Sequence, residues 1–323
     1  MKKKILNNPS IGVVFITHES KKHLPHCLPP LINSSLKPRI LVVNSSSEDG
    51  TVELAERMGV ETLVIPRVKF NHGTTREQAR KHLNTDIVVM MTPDAYALDH
   101  RLLENLVQPL IRGEADVSYA RQIPHDGADL LVSFHRKFNY PSESHFRSFE
   151  DIRKYGVYTF FCSDACAAYL NSALNKVGGF PPVLFGEDTC VVAALLKNGH
   201  KIYYAAEAIV KHSHQYSLKQ EFQRHFDIGV SRREFSHLLR SAGSDSARGF
   251  EFVSQLFKLL IKEKPALIPK AIGQTFSKWL GYKIGWASLY APLWLKKMCS
   301  SQDFYWVSTE GQKKHMNAQR DDQ

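Results

Sequence analysis

Short apolar runs alternate with amphipathic segments through the first third of the chain. The segments between the runs predict helices within 20–36, over 51–58 and over 74–83. Each run is short, which predicts a strand, and all but 60–65 are apolar on both faces, which predicts a buried strand. The four runs are 11–16 (IGVVFI), 39–43 (RILVV), 60–65 (VETLVI) and 86–91 (DIVVMM). This alternation predicts an α/β fold with a doubly wound, mostly parallel sheet.

The second half of the chain is less regular. A helix is predicted over 189–198, and a strand is predicted over 201–210. His212 and His214 follow this strand directly, separated by one serine. Because alternate residues of an extended chain point the same way, both imidazoles are expected to face one site. From residue 217 onward, apolar residues recur every four positions, which predicts a further helix.

Polar residues stand just past three of the predicted strands. They are Thr17, Asn44 and Asp94. Ligands of doubly wound sheets bind at the carboxyl ends of the strands, so these side chains are expected at one rim. The first strand is followed by THES, without the glycines of a dinucleotide-binding turn, and no P-loop is present. A rim of acids and hydroxyls suits a nucleotide-sugar bound through a metal ion.

Composition narrows the class of partner. The 323 residues carry 42 basic and 32 acidic side chains, for a net charge of +10. This balance favours an anionic partner, which could be a nucleotide, a nucleic acid or an acidic membrane surface. No recognised nucleic-acid-binding motif is present, so a nucleic-acid partner is not expected.

The cysteines and the apolar stretches of the chain indicate the cellular compartment of the protein. The five cysteines are odd in number and lie in no disulfide spacing, and MKKKILNNPS lacks the apolar stretch of a signal peptide. We therefore expect a cytoplasmic protein, with Cys162 and Cys166 as buried free thiols. The apolar stretch 284–295 is too short to span a bilayer, so no transmembrane helix is expected.

A set of motifs in a fixed order resembles one enzyme family. After Thr17 come VVNSSSEDGT, FNHGTTREQAR, VVMMTPDA, VGGF…FGEDT and HSH. Over residues 11–235 this order resembles the family 2 glycosyltransferases, which have a GT-A fold of the nucleotide-diphospho-sugar transferase type. TPDA in place of D-x-D, together with YARQIP and FNYPSES, resembles the rhamnosyltransferase-like branch, which builds bacterial surface polysaccharides.

The resemblance implies an inverting transferase that moves a deoxyhexose, with rhamnose as the expected sugar. The implied donor is dTDP-rhamnose, and the implied acceptor is a cell-envelope polysaccharide or a lipid-linked glycan. Two alternatives stay open: a hexosyltransferase of the same family with another donor, and a non-catalytic relative that binds nucleotide-sugar or glycan. Asn44 and Thr92 favour the non-catalytic relative, because the family usually has acids there, whereas Asp94 and Asp188 together count against it.

Asp94 is the candidate metal ligand, because it follows a buried strand. The alternative is an acid that caps a helix starting near residue 98 or 99. By resemblance the family's second acid would stand at Thr92, so His212 or His214 is expected to help hold the ion. Mg²⁺ or Mn²⁺ is expected, since Mg²⁺ commonly takes one or two carboxylates and fills its remaining positions with phosphate and water.

Asp188 is the candidate general base, by its match to the E-D pair of the family. The alternative is that Glu187 and Asp188 only favour the dipole of the helix that follows them. Glu187 is expected to contact the acceptor or to support Asp188. Asp164, within CSDACAAY, is a further acid that could contact the donor sugar or the acceptor.

The turn after the second strand is implied by resemblance to bind the nucleobase and ribose, through Asn44 and Asp49. Arg76, at the start of a predicted helix, is expected to meet the donor diphosphate, and a plain surface arginine is the equal alternative. Arg121 and Gln122 belong to the YARQIP motif, but their chemistry alone indicates no role.

The chain is predicted to divide into three parts. Residues 1–235 form the catalytic domain, 236–307 form a C-terminal helical extension, and 308–323 form a disordered tail. Between 250 and 300, eight lysines oppose two glutamates, a balance of +6, and aromatic residues are interleaved. This pattern indicates helices that rest peripherally on an anionic membrane surface. The alternative is an ordinary helical subdomain with its aromatic residues packed inward.

Overall fold

A computed structural model describes residues 5–239, 241, 243, 246–308 and 311–314 of the chain. Its strands are β1 (Ile11–Thr17), β2 (Arg39–Asn44), β3 (Glu61–Val64), β4 (Ile87–Met91), β5 (Tyr96–Ala97), β6 (Val117–Ile123), β7 (His145–Arg147), β8 (Cys166–Leu170) and β9 (Ile202–Lys211). The four strands predicted in the first third are present as β1 to β4, with bounds that differ by at most two residues.

Helices flank the sheet and form most of the last hundred residues. They are α1 (Leu24–Cys27), α2 (Pro29–Ile32), α3 (Thr51–Arg57), α4 (His72–Leu83), α5 (Leu102–Ile111), α6 (Leu130–Asn139), α7 (Ile152–Tyr155), α8 (Asn171–Lys176), α9 (Glu187–Lys197), α10 (Leu218–Glu234), α11 (Ser236–Leu239), α12 (Ser246–Glu263), α13 (Ile268–Ala287), α14 (Leu293–Cys299) and α15 (Asp303–Val307). Among the described residues, no helix is both long and apolar enough to cross a bilayer.

The strands form one sheet in the order β3-β2-β1-β4-β8-β6-β9-β5, and β7 pairs with β9. Neighbours among β1, β2, β3 and β4 are parallel, and β6 is parallel to β9. Strand β8 runs antiparallel between β4 and β6. The predicted doubly wound, mostly parallel sheet is therefore confirmed, with β8 as a reversed strand near its centre.

The reversed strand decides which side chains meet at the carboxyl edge of the sheet. Met91, at the end of β4, pairs with Cys166, at the start of β8. Residues that precede β8 therefore lie at the same edge as residues that follow β4. The same edge receives the end of β6 and the residues after β9, because Ile123 pairs with Lys211.

Apolar side chains cover both faces of the sheet. In β1, Val14 belongs to one core cluster, while Val13 and Phe15 belong to the other. This two-sided burial explains why the strands appear in the sequence as continuous apolar runs rather than as alternating patterns.

The helices after residue 235 pack directly against the first part of the chain. A Cβ added at Gly281 or Gly285 of α13 would lie 2.3 or 2.1 Å from a backbone carbonyl oxygen of α10, so these glycines permit close helix contact. Leu256 and Leu260 of α12 share a small apolar cluster with Leu131 of α6. A domain boundary at residue 235 stays a prediction about chain organisation.

The predicted tail 308–323 is only partly described. Residues 309–310 and 315–323 lie outside the described residues, whereas 311–314 are helical. Lys314 contacts the carbonyl oxygen of Pro182 and the carboxylate of Glu234. Residue 314 therefore contacts the body of the protein, and the disorder of 308–323 stays a prediction.

Candidate active site

A cavity of about 700 Å³ opens at the carboxyl edge of the sheet. Loops after β1, β4 and β9 and the loop before β8 line one side of it. Helices α6, α9, α10 and α13 line the other side. Both candidate chemical groups predicted from the sequence, the metal ligands and the general base, face this single cavity.

Asp94, His212 and His214 converge on one wall. The Oδ2 atom of Asp94 lies 3.5 Å from Nε2 of His212 and 3.4 Å from Nε2 of His214. The three candidate ligand atoms all lie within 4.8 Å of one another. Asp94 caps no helix, because β5 intervenes and α5 begins only at Leu102. The fold therefore brings Asp94 together with His212 and His214, as the sequence analysis expected.

The protonation states of this triad suit a cation. Burial tends to raise the pKa of Asp94, but the adjacent side chains of His212 and His214 lower it well below its usual range. Burial lowers the pKa of His212, and it lowers that of His214 to about 4, with His212 contributing. Near neutral pH the triad therefore offers one carboxylate and two neutral imidazoles.

Gln122 sets the tautomer of His212. Arg136 Nη1 donates to Oε1 of Gln122 at 2.7 Å, and Nε2 of Gln122 donates to Ser163 Oγ at 2.8 Å. Because arginine can only donate, the amide oxygen must face Arg136 and also His212 Nδ1, 2.9 Å away. His212 therefore donates from Nδ1, and its Nε2 lone pair is left toward Asp94 and His214.

Arg76 joins two acids of the cavity lining. Its side chain is only 4% exposed. Its Nε lies 3.0 Å from Asp164 Oδ2, and its Nη1 lies 2.6 Å from Glu187 Oε1. Tyr169 donates its hydroxyl to Asp164 Oδ1 at 2.6 Å. Arg76 lines the cavity and is already paired with acids, and its contact with the donor diphosphate stays a prediction.

Asp188 stands beside this cluster at the start of α9. The backbone N–H of Thr189 donates to Asp188 Oδ1 at 2.6 Å, and that of Asp164 lies 3.4 Å from Oδ2. Burial, and then the charge of Glu187, raise the pKa of Asp188 to about 6. A carboxylate with such a pKa is ionised at neutral pH yet more basic than an ordinary aspartate.

Comparison with known proteins identifies the family. The family model described as Glycosyl transferase family 2 matches residues 12–178, which is half of the chain. The O-antigen chain rhamnosyltransferase RfbN of Salmonella typhimurium is 36% identical over 306 residues, covering 92% of this chain and 96% of that protein. This chain belongs to glycosyltransferase family 2.

A second relative of this family 2 glycosyltransferase agrees with that assignment, and a solved structure resembles it in fold. The O-antigen chain rhamnosyltransferase WbaN of Salmonella anatum is 37% identical over 272 residues, covering 83% of this chain and 86% of that protein. The mannosyltransferase PcManGT from Pyrobaculum calidifontis, solved with GDP-Man and Mn²⁺, superposes with a TM-score of 0.56 at 14% identity, covering 98% and 86% of the two chains.

Residues 1–349 of Staphylococcus aureus TarS superpose with a TM-score of 0.51 at 13% identity, covering 97% and 92% of the two chains. Together these structures show that the family 2 glycosyltransferase has the GT-A fold.

Three of the predicted donor-binding residues, Thr17 and Asn44 at the ends of β1 and β2 and Asp49 in the turn after β2, do not lie on the cavity surface. Asn44 donates to Thr17 Oγ1 at 3.1 Å and accepts from the N–H of Ser47 at 2.8 Å. Asp49 accepts from the N–H of Lys21 at 3.0 Å and from Thr51. Neither Thr17, Asn44 nor Asp49 lines the cavity. Their hydrogen bonds hold the turn, so direct nucleotide contact by these side chains stays a prediction.

Several residues that line the cavity of the glycosyltransferase were not predicted from the sequence. His18, Ser20 and His23 follow β1 and line the cavity. The THES segment is polar, and this signal in the sequence could have indicated that its residues line the site. Arg224 and Lys278 reach the cavity from α10 and α13. No local pattern predicts these two, because their position depends on how the C-terminal helices pack.

Proposed function

We propose that this family 2 glycosyltransferase moves a rhamnosyl residue, with inversion, from dTDP-rhamnose to a hydroxyl of a polysaccharide or lipid-linked glycan. Two curated relatives that cover most of the chain are named O-antigen chain rhamnosyltransferases. The observation that carries the proposal is the cavity itself, where the Asp94–His212–His214 triad and the carboxylate of Asp188 both line one space.

The triad fits a divalent cation, because its three ligand atoms lie within 4.8 Å of one another and all carry lone pairs. A pair of imidazoles favours a transition-metal ion such as Mn²⁺ over Mg²⁺, which prefers oxygen ligands. When bound, such an ion would neutralise charge on the leaving diphosphate. Asp94 supplies the one carboxylate, and diphosphate oxygens and water can fill the remaining ligand positions.

Asp188 is proposed to accept the proton of the acceptor hydroxyl. The acceptor oxygen forms its bond to the anomeric carbon as the bond from that carbon to the diphosphate oxygen breaks. The proton moves to Asp188, and the leaving electron pair stays on the diphosphate. A positioned general base contributes on the order of 10²–10⁴-fold to the rate. Attack from the face opposite the leaving group produces inversion.

Asp164 and Glu187 are proposed to act through Asp188 rather than on the substrate. Both are buried and lie within ion-pair distance of Arg76, so they leave Asp188 as the partly exposed acid of the cluster. Burial raises the pKa of Asp164 to about 8, and Arg76 offsets the charge of Glu187, so the cluster does not hold three uncompensated carboxylates.

Asp188→Asn tests the proposal, because asparagine keeps the volume but cannot accept the proton. Single-turnover transfer is expected to fall at least about 10²-fold, while calorimetry shows an unchanged dissociation constant for dTDP-rhamnose. Asp99→Asn, an exposed aspartate outside the cavity, is the matched control. Unchanged transfer in Asp188→Asn contradicts the base assignment. A wild-type protein that binds the donor and transfers to no acceptor supports the non-catalytic alternative.

The C-terminal helices are proposed to rest peripherally on an anionic membrane surface, at the cytoplasmic face. Ile272, Phe276 and Trp279 of α13 are 53%, 56% and 55% exposed. Their spacing of four and three residues, followed by exposed Lys283, puts all four on one helix face. The opposite face of α13 packs on α10 through glycines. An apolar face with lysine suits an anionic lipid surface.

Substitution tests this surface better than truncation, because α13 also lines the cavity. The triple variant Ile272→Ser, Phe276→Ser and Trp279→Ser is expected to lose co-sedimentation with anionic vesicles. The double variant Val64→Ser and Val68→Ser, also at exposed apolar positions, is the control. Equal co-sedimentation of the triple variant and the wild-type protein contradicts the proposal.

A further inference from the structure

Five permanent cations line the cavity: Arg76, Arg136, Arg224, Arg232 and Lys278. Arg76 pairs with Asp164 and Glu187, Arg136 donates to Gln122 at 2.7 Å, and Lys278 Nζ lies 3.4 Å from Glu221 Oε1. Arg224 on α10 forms no ion pair or hydrogen bond with any residue that the structure describes. A partly buried guanidinium without a direct ion pair is costly, so its retention in the cavity requires a physical reason.

Aromatic rings hold Arg224 in place without occupying its donors. Its guanidinium carbon lies 4.6 Å from the ring centre of Phe185 and 5.6 Å from that of Tyr216. Cation–π contacts of this kind stabilise the charge but leave the in-plane N–H groups available. The side chain is therefore oriented by the protein while its hydrogen-bonding capacity remains open.

Arg224 lies close to the metal triad. Tyr216 stacks on His214 with ring centres 5.2 Å apart, so Arg224 is one aromatic ring away from the metal triad. An anion held at the triad would therefore lie within reach of the field of Arg224.

We propose that Arg224 binds a phosphate group in the cavity, through the planar pair of donors that a guanidinium offers to phosphate oxygens. The proposal deepens the proposed function and rests on it in one respect, the presence of a phosphate-bearing substrate. Two sources share this chemistry: the diphosphate of the nucleotide-sugar donor, and a phosphate of a lipid-linked acceptor. Bidentate binding of phosphate is the recognition for which arginine is best suited.

The assignment adds a second basic residue to Arg76, which helix position suggested for the diphosphate. Arg76 is ion-paired with Asp164 and Glu187, whereas Arg224 has no such partner among the described residues. If the donor diphosphate is the ligand, Arg224 would share the negative charge that accumulates on it as the bond to the sugar breaks. The interaction would then strengthen in the transition state.

The experiment uses the full chain and inorganic pyrophosphate with Mn²⁺ as the first probe, titrated by calorimetry. Arg224→Gln is expected to weaken pyrophosphate binding about ten- to a hundredfold, the range of a charge-assisted hydrogen bond. Arg224→Lys, which keeps the charge but not the fork, is expected to lose less. Lys219→Gln removes an exposed charge from the same helix and should leave binding unchanged.

Two further titrations distinguish the phosphate sources. A larger dissociation constant for dTDP-rhamnose in Arg224→Gln, with thymidine binding unchanged, assigns the site to the donor. An unchanged donor constant with a raised KM for the lipid-linked acceptor assigns it to the acceptor phosphate. Arg224→Met retains packing against Phe185 and serves if the glutamine variant does not fold.

Unchanged pyrophosphate binding in all folded Arg224 variants overturns the proposal. Because the pyrophosphate titration needs no sugar transfer, this failure is distinguishable from a failure of the proposed rhamnosyl transfer.

Discussion

Replacing Glu187 by glutamine is expected to move the acid limb of the pH–rate profile to lower pH. Burial first, and the charge of Glu187 second, raise the pKa of Asp188 to about 6. Glutamine keeps the size of Glu187 and can still accept a hydrogen bond from Arg76, so burial changes little while the like charge is removed. The base then stays ionised in more acidic solution.

The size of the effect follows from the range of such charge interactions. A neighbouring charge at contact range moves a carboxyl pKa by about one unit or more. With a pKa of about 6, about a tenth of Asp188 is ionised at pH 5, and a pKa one unit lower makes that about half. The rate at pH 5, relative to each protein's own plateau, is therefore expected to be about fivefold higher in Glu187→Gln.

Initial rates between about pH 5 and pH 8, at saturating donor and metal, measure this limb. Burial lowers the pKa of both histidines of the triad, that of His214 to about 4, and comparison of two proteins with the same triad cancels their contribution to the limb. Glu114→Gln, an exposed glutamate outside the cavity, is the control and should keep the wild-type limb. An identical limb in Glu187→Gln and wild type refutes the reasoning.

Three further predictions concern the metal triad and the helix packing. Asp94→Asn is expected to abolish transfer and weaken Mn²⁺ binding in calorimetry, because no other carboxylate belongs to the triad; an unchanged Mn²⁺ optimum contradicts the metal role. Gln122→Leu is expected to weaken Mn²⁺ binding about ten- to a hundredfold by releasing the His212 tautomer, and Gln122→Glu, which keeps an acceptor oxygen, to restore part of it. Gly285→Val would bring a Cβ 2.1 Å from a carbonyl oxygen of α10 and is expected to lower the free energy of unfolding in urea by about 1–3 kcal/mol. Gly249→Ala, with open space around it, is its control, and equal stability of the two variants argues against tight packing.

The strands, and the polar residues that follow them, were predictable from local sequence. A strand buried on both faces must be apolar at consecutive positions, so β1, β2 and β4 are visible as short runs. A carboxylate or imidazole directly after such a strand has to lie at the edge of the sheet. The Asp94–His212–His214 group could therefore be predicted before the residues were seen together.

Contacts between distant segments decided the rest of the site. Asp164 reaches the edge because β8 runs antiparallel to β4, and a strand's direction is not encoded in its own apolar run. The start of α4 was visible in the sequence, but the two carboxylates that approach Arg76 come from segments nearly a hundred residues away or more. From the sequence alone, Arg76 at the start of α4 was compatible with binding either a phosphate or a carboxylate.

The sequence by itself determined the α/β class, the family and the side chains at strand ends, because each depends on short-range patterns or ordered motifs. Only the tertiary structure decided which charges are paired. Arg76 is ion-paired within the acidic cluster, while Arg224 stands between aromatic rings and forms no ion pair with the described residues. The physical reason is that a charge interaction depends on separation in space, and the packing of α10 and α13 sets that separation for residues far apart in the chain.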